Sequence, residues 1–474
     1  MDNRKRGACV DSVQAELLEM PKATEPAADA EVEEQTGWEE GQGAVRLRCP
    51  QRNQMEMMPR CPDDLVGPHH PVRAVAAVVE RLDVSEFCKP LKAREGMVGR
   101  DATDPRLLIG LWLYACIRGI GSARELARRC QESLPFLWLC GGVSVNHRLL
   151  SDFRTDHEQA LDQLLTQVVA SLVEQGLVQV SRISQDGVRV RVGAGAGSFR
   201  REERLQELLQ ESAKHVEDLK RQLEAPEQMA KDKARRLAAQ KRQAEDRKRR
   251  LEQAIEQLPE LKAKQEQTAK RAGQGKSGQK IREKELRVST TDPEARVMKM
   301  PNGGFNPAVN VQLATDTASR FIVGVEISNE GSDSANLSEP MRQQVEQRSK
   351  KKVTQHLKDG GYLRIDDIEK AHTEEVELFV PPKSARNPAN RGHELEVKPG
   401  DSEAIRAWKE RMASDQGKEI YKQRAATSET VNADLRTYRG LTQILVRGMT
   451  KQKCVVLWCV LAHNVFLFSK ELLR

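Results

Sequence analysis

VQVSRISQDGVRVRVGAG, residues 178–195, is the stretch whose reading decides the fold. Val178, Val180, Ile183, Val188, Val190 and Val192 are β-branched and suit a pleated, half-buried strand. Asp186-Gly187 falls among them and is expected to interrupt or end that strand, because both residue types are depleted in strand interiors. The run GAGAG fits neither a dinucleotide fingerprint nor a Walker phosphate loop and reads as a flexible connection. A second strand pattern, VTQHLKDGGY (353–362), closes on Asp359-Gly360-Gly361. Strand ends are where an α/β sheet gathers ligands, and a glycine beside an acid lets a phosphate come close to the backbone.

More strand patterns surround these two. NVQLATDTASRFIVGVEIS reads as a hairpin: Val309, Val311 and Leu313, a turn at Asp316–Ser319, then Phe321, Val323, Val325 and Ile327. A helix is expected over about Ser338–Arg348, a strand at VELFVPP ending at Pro381, and helices from there to the C-terminus. Strands alternating with helices make this part α/β with a mixed sheet. Between the first strand and the hairpin lies a long charged segment. One 4-3 seam runs Leu205, Leu209, Ser212, Val216, Leu219, Leu223; a second runs Ala230, Ala234, Leu237, Lys241, Ala244, Lys248, Leu251, Ile255, Leu258. Pro226 separates them and cannot continue a helix without a kink. Two helices of about 26 and 32 residues, about 40–50 Å each, would pair as an antiparallel coiled-coil hairpin. Such an arm serves either as a solvated spacer or as a surface for dimerisation or DNA. GQGKSGQK (273–280) reads as its basic, flexible tail.

Upstream, residues 1–48 are polar and acidic, bury little apolar area, and are expected to be disordered. Residues 49–178 are helical in pattern. DPRLLIGLWLYACIRG begins at a proline and stops at Gly119, and Ser122 with Glu125 forms a capping-box signature ahead of ARELARRC. The succession of short helices suits a helix-turn-helix DNA reader with Asn146, His147, Arg148 and Arg154 toward a groove, or an ordinary helical bundle. Residues 179–474 form the α/β part, interrupted by the arm at 199–288.

The chain has 474 residues and a formal net charge of +7, which suits a polyanionic partner but equally well-solvated helices. Nine scattered cysteines without a Cys-x-x-Cys pair argue against a structural zinc site and point to a reducing, cytoplasmic setting. The run Cys454 to Ala462 is shorter than the ~20 residues a bilayer span needs, so a soluble protein is expected. No tyrosine has the His and Arg setting of a tyrosine recombinase, and no His-hydrophobe-His pair marks a rolling-circle nuclease. His463 is expected to pack or cap rather than bind metal.

The acids that carry chemistry are Asp186, Asp359 and Glu429. Glu429 shares a helical face with Tyr421, Ala425, Asn432 and Arg436, with Arg424 before it. Three carboxylates can hold two Mg²⁺ or Mn²⁺ ions about 4 Å apart, because hard oxygen ligands suit these cations. Arg424 and Arg436 would meet phosphate oxygens. Read singly, each Asp-Gly is equally a tight turn and Glu429 a solvent-facing helix residue. Asp316 and Asp333 compete for the second position, and Glu419 for the third.

In order along the chain, HPVRAV (70–75), DPRLL (104–108), SARELARRC (122–130), FLWLCGG (136–142), SQDGVRVR (184–191), STTDPEARVMK (289–299), NVQLATD (310–316), DGGY (359–362), RGLTQILVRGMTK (439–451) and LAHN (461–464) resemble bacterial insertion-sequence transposases of the Asp-Asp-Glu type, in the broad group of insertion-sequence families four and five. The resemblance implies an RNase H-like catalytic domain behind an all-α N-terminal domain, with Asp186, Asp359 and Glu429 as catalytic and metal-binding acids. It implies strand cleavage at transposon ends and transfer into target DNA, two Mg²⁺ or Mn²⁺ ions, double-stranded DNA as partner, a homodimer or higher multimer on DNA, and a bacterial cytoplasmic protein associated with the nucleoid when bound. The group's Tyr-Arg-Glu-Lys signature falls on Tyr421, Arg424, Glu429 and Arg436. It departs by one extra residue between Arg424 and Glu429 and by Arg436 in place of Lys, and the arm follows the first strand rather than preceding the Glu. A catalytically inactive DNA-binding or coiled-coil interaction protein derived from a transposase is the alternative.

Overall fold

The computed structural model describes residues 61–93, 100–224, 231–331, 337–383 and 392–472. The acidic segment 1–48, Pro226 and Asp333 lie outside them. Seven helices open the described chain: α1 (Pro71–Arg81), α2 (Ser85–Cys88), α3 (Pro105–Ile117), α4 (Ala123–Glu132), α5 (Leu134–Cys140), α6 (His147–Thr155) and α7 (Glu158–Glu174). Their starts follow the expected chemistry. Asp104 caps α3 by accepting from Arg106 N at 2.8 Å, with Pro105 in the first turn, and Gly119 just past the end adopts φ 72°. Ser122 caps α4 through Glu125 N, but only half of the expected box forms, because the Glu125 carboxylate pairs with Arg128 and Arg129 instead.

The sheet follows: β1 (Arg182–Val192), β2 (Phe199–Arg200), then the arm helices α8 (Glu202–Glu224), α9 (Lys231–Glu256), α10 (Leu258–Arg271) and α11 (Lys276–Glu283). After the arm come β3 (Val288–Ser289), β4 (Arg296–Lys299), β5 (Phe305–Asp316), β6 (Ile322–Ser328), α12 (Ser338–Ser349), β7 (Gln355–Lys358), α13 (Ile365–Thr373), β8 (Glu377–Phe379), α14 (Glu403–Ala413), α15 (Asp415–Thr437), β9 (Gln443–Ile444) and α16 (Met449–Leu472). The main sheet runs β4-β5-β1-β7-β8, with β6 also on β5 and β9 also on β1. β1 is antiparallel to β5 and parallel to β7 and β9, so the sheet is mixed.

Two expectations for this region need correction. Asp186-Gly187 does not end the first strand: β1 continues to Val192, held by pairing with β5 from Ile183 to Arg191. The long antiparallel register outweighs the weak strand preference of two residues. Residues 276–280, read as part of a flexible tail, lie in helix α11, which packs back on α10; Gln265 Nε2 donates to the carbonyls of Ile281 and Lys284. The GAGAG run leads into a short 3-10 turn at Ala196–Ser198.

The arm uses its seams largely as spaced. Leu205, Ser212, Val216 and Leu219 are buried on α8, with Leu208 buried more fully than Leu209, against Leu237, Ala244, Leu251 and Ala254 of α9. Lys241 and Lys248, which fall on the second seam, remain half-exposed and lie 3.8 and 3.7 Å from Glu245 and Glu252.

The helices before the sheet do not form a separate core. One apolar cluster runs from Val66 through α1–α7 and the sheet to Val465 of α16. The rings of Trp112 of α3 and Trp458 of α16 meet tilted, with centroids 6.5 Å apart, and Trp458 Nε1 donates to Arg154 O. The segment Met449–Ser469 is long and apolar enough to cross a membrane by composition, yet 72% of its apolar window is buried against this cluster, where it acts as a core helix. A second cluster lies around β7 and β8: Leu357, Ile368, Leu378, Phe379 and Trp408. The β6 edge is closed by side chains. Asn464 bonds both N–H and C=O of Ile322, and Gln344 those of Val325.

Candidate active site

The sheet topology leaves a gap, and the candidate acids lie around it. β7 pairs β1 only from Arg182 to Gln185, and β9 joins β1 only at Arg191 and Val192. Among the described residues, Asp186 through Val190 therefore have β5 on one side and no strand on the other. Lys358 stands opposite Gln185 in parallel register, so Asp359, the next residue, leaves the sheet beside Asp186. Asp359 then opens a 3-10 turn at Gly360–Tyr362, the turn expected of Asp-Gly there.

What holds Asp359 in place is buried below it. His356 and Lys358 point to one side of β7, where Lys358 Nζ bonds Asp367 and Ser338. Burial pushes the Lys358 ammonium down to about 8, against the pull of Asp367. Burial also drives His356 well below its usual range, helped by Lys358 and Arg342. Beyond Asp359, the Tyr362 hydroxyl donates to Gln312 of β5, which receives a further bond from Gln185 of β1. The turn that carries Asp359 is thus tied to the two central strands.

Helix α15 crosses the gap and follows β1. Gln423 accepts from Arg182, Ser428 Oγ lies 2.6 Å from Ser184 Oγ, Asn432 Nδ2 donates to Asp186 Oδ2 at 2.9 Å, and Arg436 donates to Arg189 O at 3.2 Å. Arg424 Nη2 lies 3.2 Å from Asp186 Oδ1 and 3.9 Å from Asp359 Oδ1. Asp186, Asp359, Glu429, Asn432 and Arg436 line one cleft of about 530 Å³, together with Pro301 of the β4–β5 hairpin. Glu429 is exposed on its wall. Tyr421 is half-buried; burial raises its hydroxyl pKa, which Arg424 opposes and Asp359 and Asp186 reinforce.

The same helix is braced from behind. Asp434 accepts from Arg439 Nε and Nη2 at 2.9 and 3.1 Å and lies 2.7 Å from His463 Nδ1. Burial alone would raise the Asp434 carboxyl, but His463 and Arg439 outweigh it and hold it at about 2. His463 packs in this brace, its other nitrogen 3.1 Å from Arg320 O.

Other candidates fall elsewhere. Asp316 is buried and accepts from Val180 N and from Ser319, a turn role. Glu419 pairs with Lys422 on the exposed side of α15 and does not line the cleft. Asn146 caps α6 rather than facing a groove. Arg154, read as reaching toward DNA, is turned inward: it stacks over Trp112 at 5.0 Å and bonds Gly121 O. The apolar indole beneath explains this, because the guanidinium gains a cation–π contact on burial. Arg148 is exposed on α6 and does not line the cleft. The stretches 289–299 and 439–451 meet each other rather than the acids: Asp292 accepts from Gly448 N and Gln452, and Glu294 from Met449 N. Asn432, the direct partner of Asp186, was legible as a member of the Glu429 face but not in this role.

The donor set around the cleft is all oxygen, which suits a hard divalent cation. Among the described residues, however, no three acids or imidazoles are drawn together as a ready-made metal cage. Both Asp186 oxygens are engaged, one by Arg424 and one by Asn432.

Two family models match the chain. A transposase domain (DUF772) matches residues 60–156, the opening helices, and a transposase DDE domain matches residues 382–466, which include Glu429, Asn432 and Arg436. Neither covers Asp186 or Asp359. No curated protein and no solved structure matches. Two transposase matches, in order and at the two ends of one continuous core, support an insertion-sequence transposase of the DDE type.

Proposed function

We propose that this chain cuts DNA at the ends of a mobile element and joins the freed 3′ ends to target DNA, using Asp186, Asp359 and Glu429 in the cleft beneath α15. The observation that carries the reading is that Asp359, at the end of β7, lies beside Asp186 of β1 at the gap in the sheet, with Glu429 on the facing helix. The strand order fits the RNase H-like fold that the DDE domain implies.

The three carboxylates would hold two Mg²⁺ or Mn²⁺ ions. Such a pair supplies activation of the attacking oxygen and charge relief at the leaving oxygen. The chain's own residues do the rest. Asn432 orients Asp186. The Ser184–Ser428 contact and the Asp434 brace fix α15 over the strand. Arg436, with one nitrogen on Arg189 O, presents its remaining donors to a phosphate in the cleft. In the first step water attacks the scissile phosphorus and the P–O3′ bond breaks, leaving a 3′-hydroxyl and a 5′-phosphate. In the second, that hydroxyl attacks a target phosphodiester in line and displaces the target's own 3′-oxygen. The protein acts on double-stranded DNA as a dimer or higher multimer, in the nucleoid.

One observation favours the second reading, a DNA-binding protein that no longer cuts: Arg424 sits against the acids and no cage is formed among the described residues. A nicking assay on duplexes carrying the element's own ends separates the two. Cleavage that requires Mg²⁺ and stops with EDTA supports the enzyme. Binding without cleavage, with Mg²⁺ and with Mn²⁺, supports the retained binding protein.

A further inference from the structure

We propose that Arg424 is the resident cation of the acidic site: its guanidinium occupies the position between Asp186 and Asp359 and gives it up when a divalent cation enters. This rests on the reading of those acids as a metal site.

Asp186 within β1 and Asp359 at the end of the parallel strand β7 lie side by side, and two carboxylates so placed repel unless a positive charge lies between them. Arg424 Nη2 supplies that charge, 3.2 Å from one carboxylate and 3.9 Å from the other. The side chains of Arg424 and Asp186 are only 14% and 20% exposed, so solvent screens the pair weakly, whereas Asp359 is 52% exposed and open to the cleft. A divalent cation bound to the same Asp186 oxygen would meet the guanidinium at contact distance, and the two charges exclude each other.

Arg424 is also incompletely satisfied where it stands. Its Nε is buried with no hydrogen-bond partner. Arg439, buried and structural, shows the contrast: Nε, Nη1 and Nη2 all reach acceptors, on Asp434 and Ile117 O. Arg424 turns Nη2 to the two acids, 3.2 and 3.9 Å away, and leaves Nε unpaired. Asn432 stays on the second oxygen of Asp186 throughout and keeps that carboxylate oriented. Once displaced, Arg424 remains on the helix that faces the cleft, one turn before Glu429, where an incoming phosphate restores its counter-charge. The exchange keeps a positive charge against Asp186 and Asp359 both before and after metal enters.

The test is Mn²⁺ binding to the full chain without DNA, read from the paramagnetic resonance of free Mn²⁺. Arg424→Gln is expected to tighten binding at least about tenfold, because the competing charge-assisted bond is gone. Arg424→Lys should fall between, and Asp186→Asn should abolish the site. Damaged folding does not tighten a metal site, so the gain is diagnostic; Arg424→Met, which keeps the apolar stem, serves if the glutamine variant unfolds. If the arginine variants bind Mn²⁺ no tighter than wild type while Asp186→Asn abolishes binding, Arg424 is not the occupant and the metal site stands. If neither wild type nor the arginine variants bind Mn²⁺, the metal-site reading falls and this proposal with it.

Discussion

Asp434→Asn should loosen the helix that carries Glu429, and the structure sets the size of the effect. The Asp434 carboxylate receives two bonds from Arg439 and faces His463 Nδ1, all within 3.1 Å. These partners hold its pKa at about 2, although burial acts the other way. Against an unfolded aspartate near 3.9, that depression is worth about 2.6 kcal/mol at neutral pH. The side chain is 22% exposed, which trims the figure to about 1.5–2.5 kcal/mol. The folded-state pKa lies below the unfolded one, so this stabilisation is complete above about pH 5. It disappears as the pH falls from about 4 through 2. The stability gap between wild type and Asp434→Asn should therefore be full at pH 7 and shrink on acidification. Denaturant unfolding followed by tryptophan fluorescence measures it, since Trp112 and Trp458 are buried in the same core. An unchanged midpoint at pH 7, or a gap that widens toward pH 4, would refute the reasoning.

Two other outcomes follow from particular contacts. Tyr362→Phe removes the buried donor to Gln312 and should cost about 1–2 kcal/mol by thermal unfolding, with a further loss of cleavage rate because the Asp359 turn is no longer tied to β5; unchanged stability would mean that the turn is held by other means. The arm is charge-segregated: α9 carries ten Lys and Arg against five Asp and Glu, whereas α8 carries four against seven. If the exposed face of Arg235, Arg236, Arg242 and Arg247 meets DNA phosphates, replacing the four by Ala should weaken DNA binding and flatten its log–log salt slope by roughly 0.9 for each phosphate no longer neutralised; an unchanged slope makes the arm a spacer.

How much of this was legible in the sequence depends on how local each feature is. The helix starts at Asp104-Pro105 and Ser122, the hairpin around Asp316 and the Glu429 face are set within one or two turns of chain, and the spacing of their residues displays them. The strand around Asp186 is legible, but its continuation through Asp186-Gly187 to Val192 is not, because that depends on pairing with β5 more than a hundred residues away. The Arg424–Asp186 ion pair spans 238 positions and Asn432–Asp186 spans 246, beyond any periodicity. Arg154 looked like a groove-facing residue because its inward partner, Trp112, is 42 positions upstream. The glycines and lysines of 273–280 resembled a solvated tail; only the carbonyl contacts to Gln265 reveal α11 as part of a packed pair.

The most direct measurement is single-turnover cleavage of a duplex bearing the element's terminal sequence in Mg²⁺, by wild type, Asp186→Asn, Asp359→Asn and Glu429→Gln, with DNA binding followed in parallel. The account predicts that each variant still binds the duplex and that each loses cleavage by several orders of magnitude. Cleavage by Glu429→Gln or either asparagine variant at a rate close to wild type would contradict it.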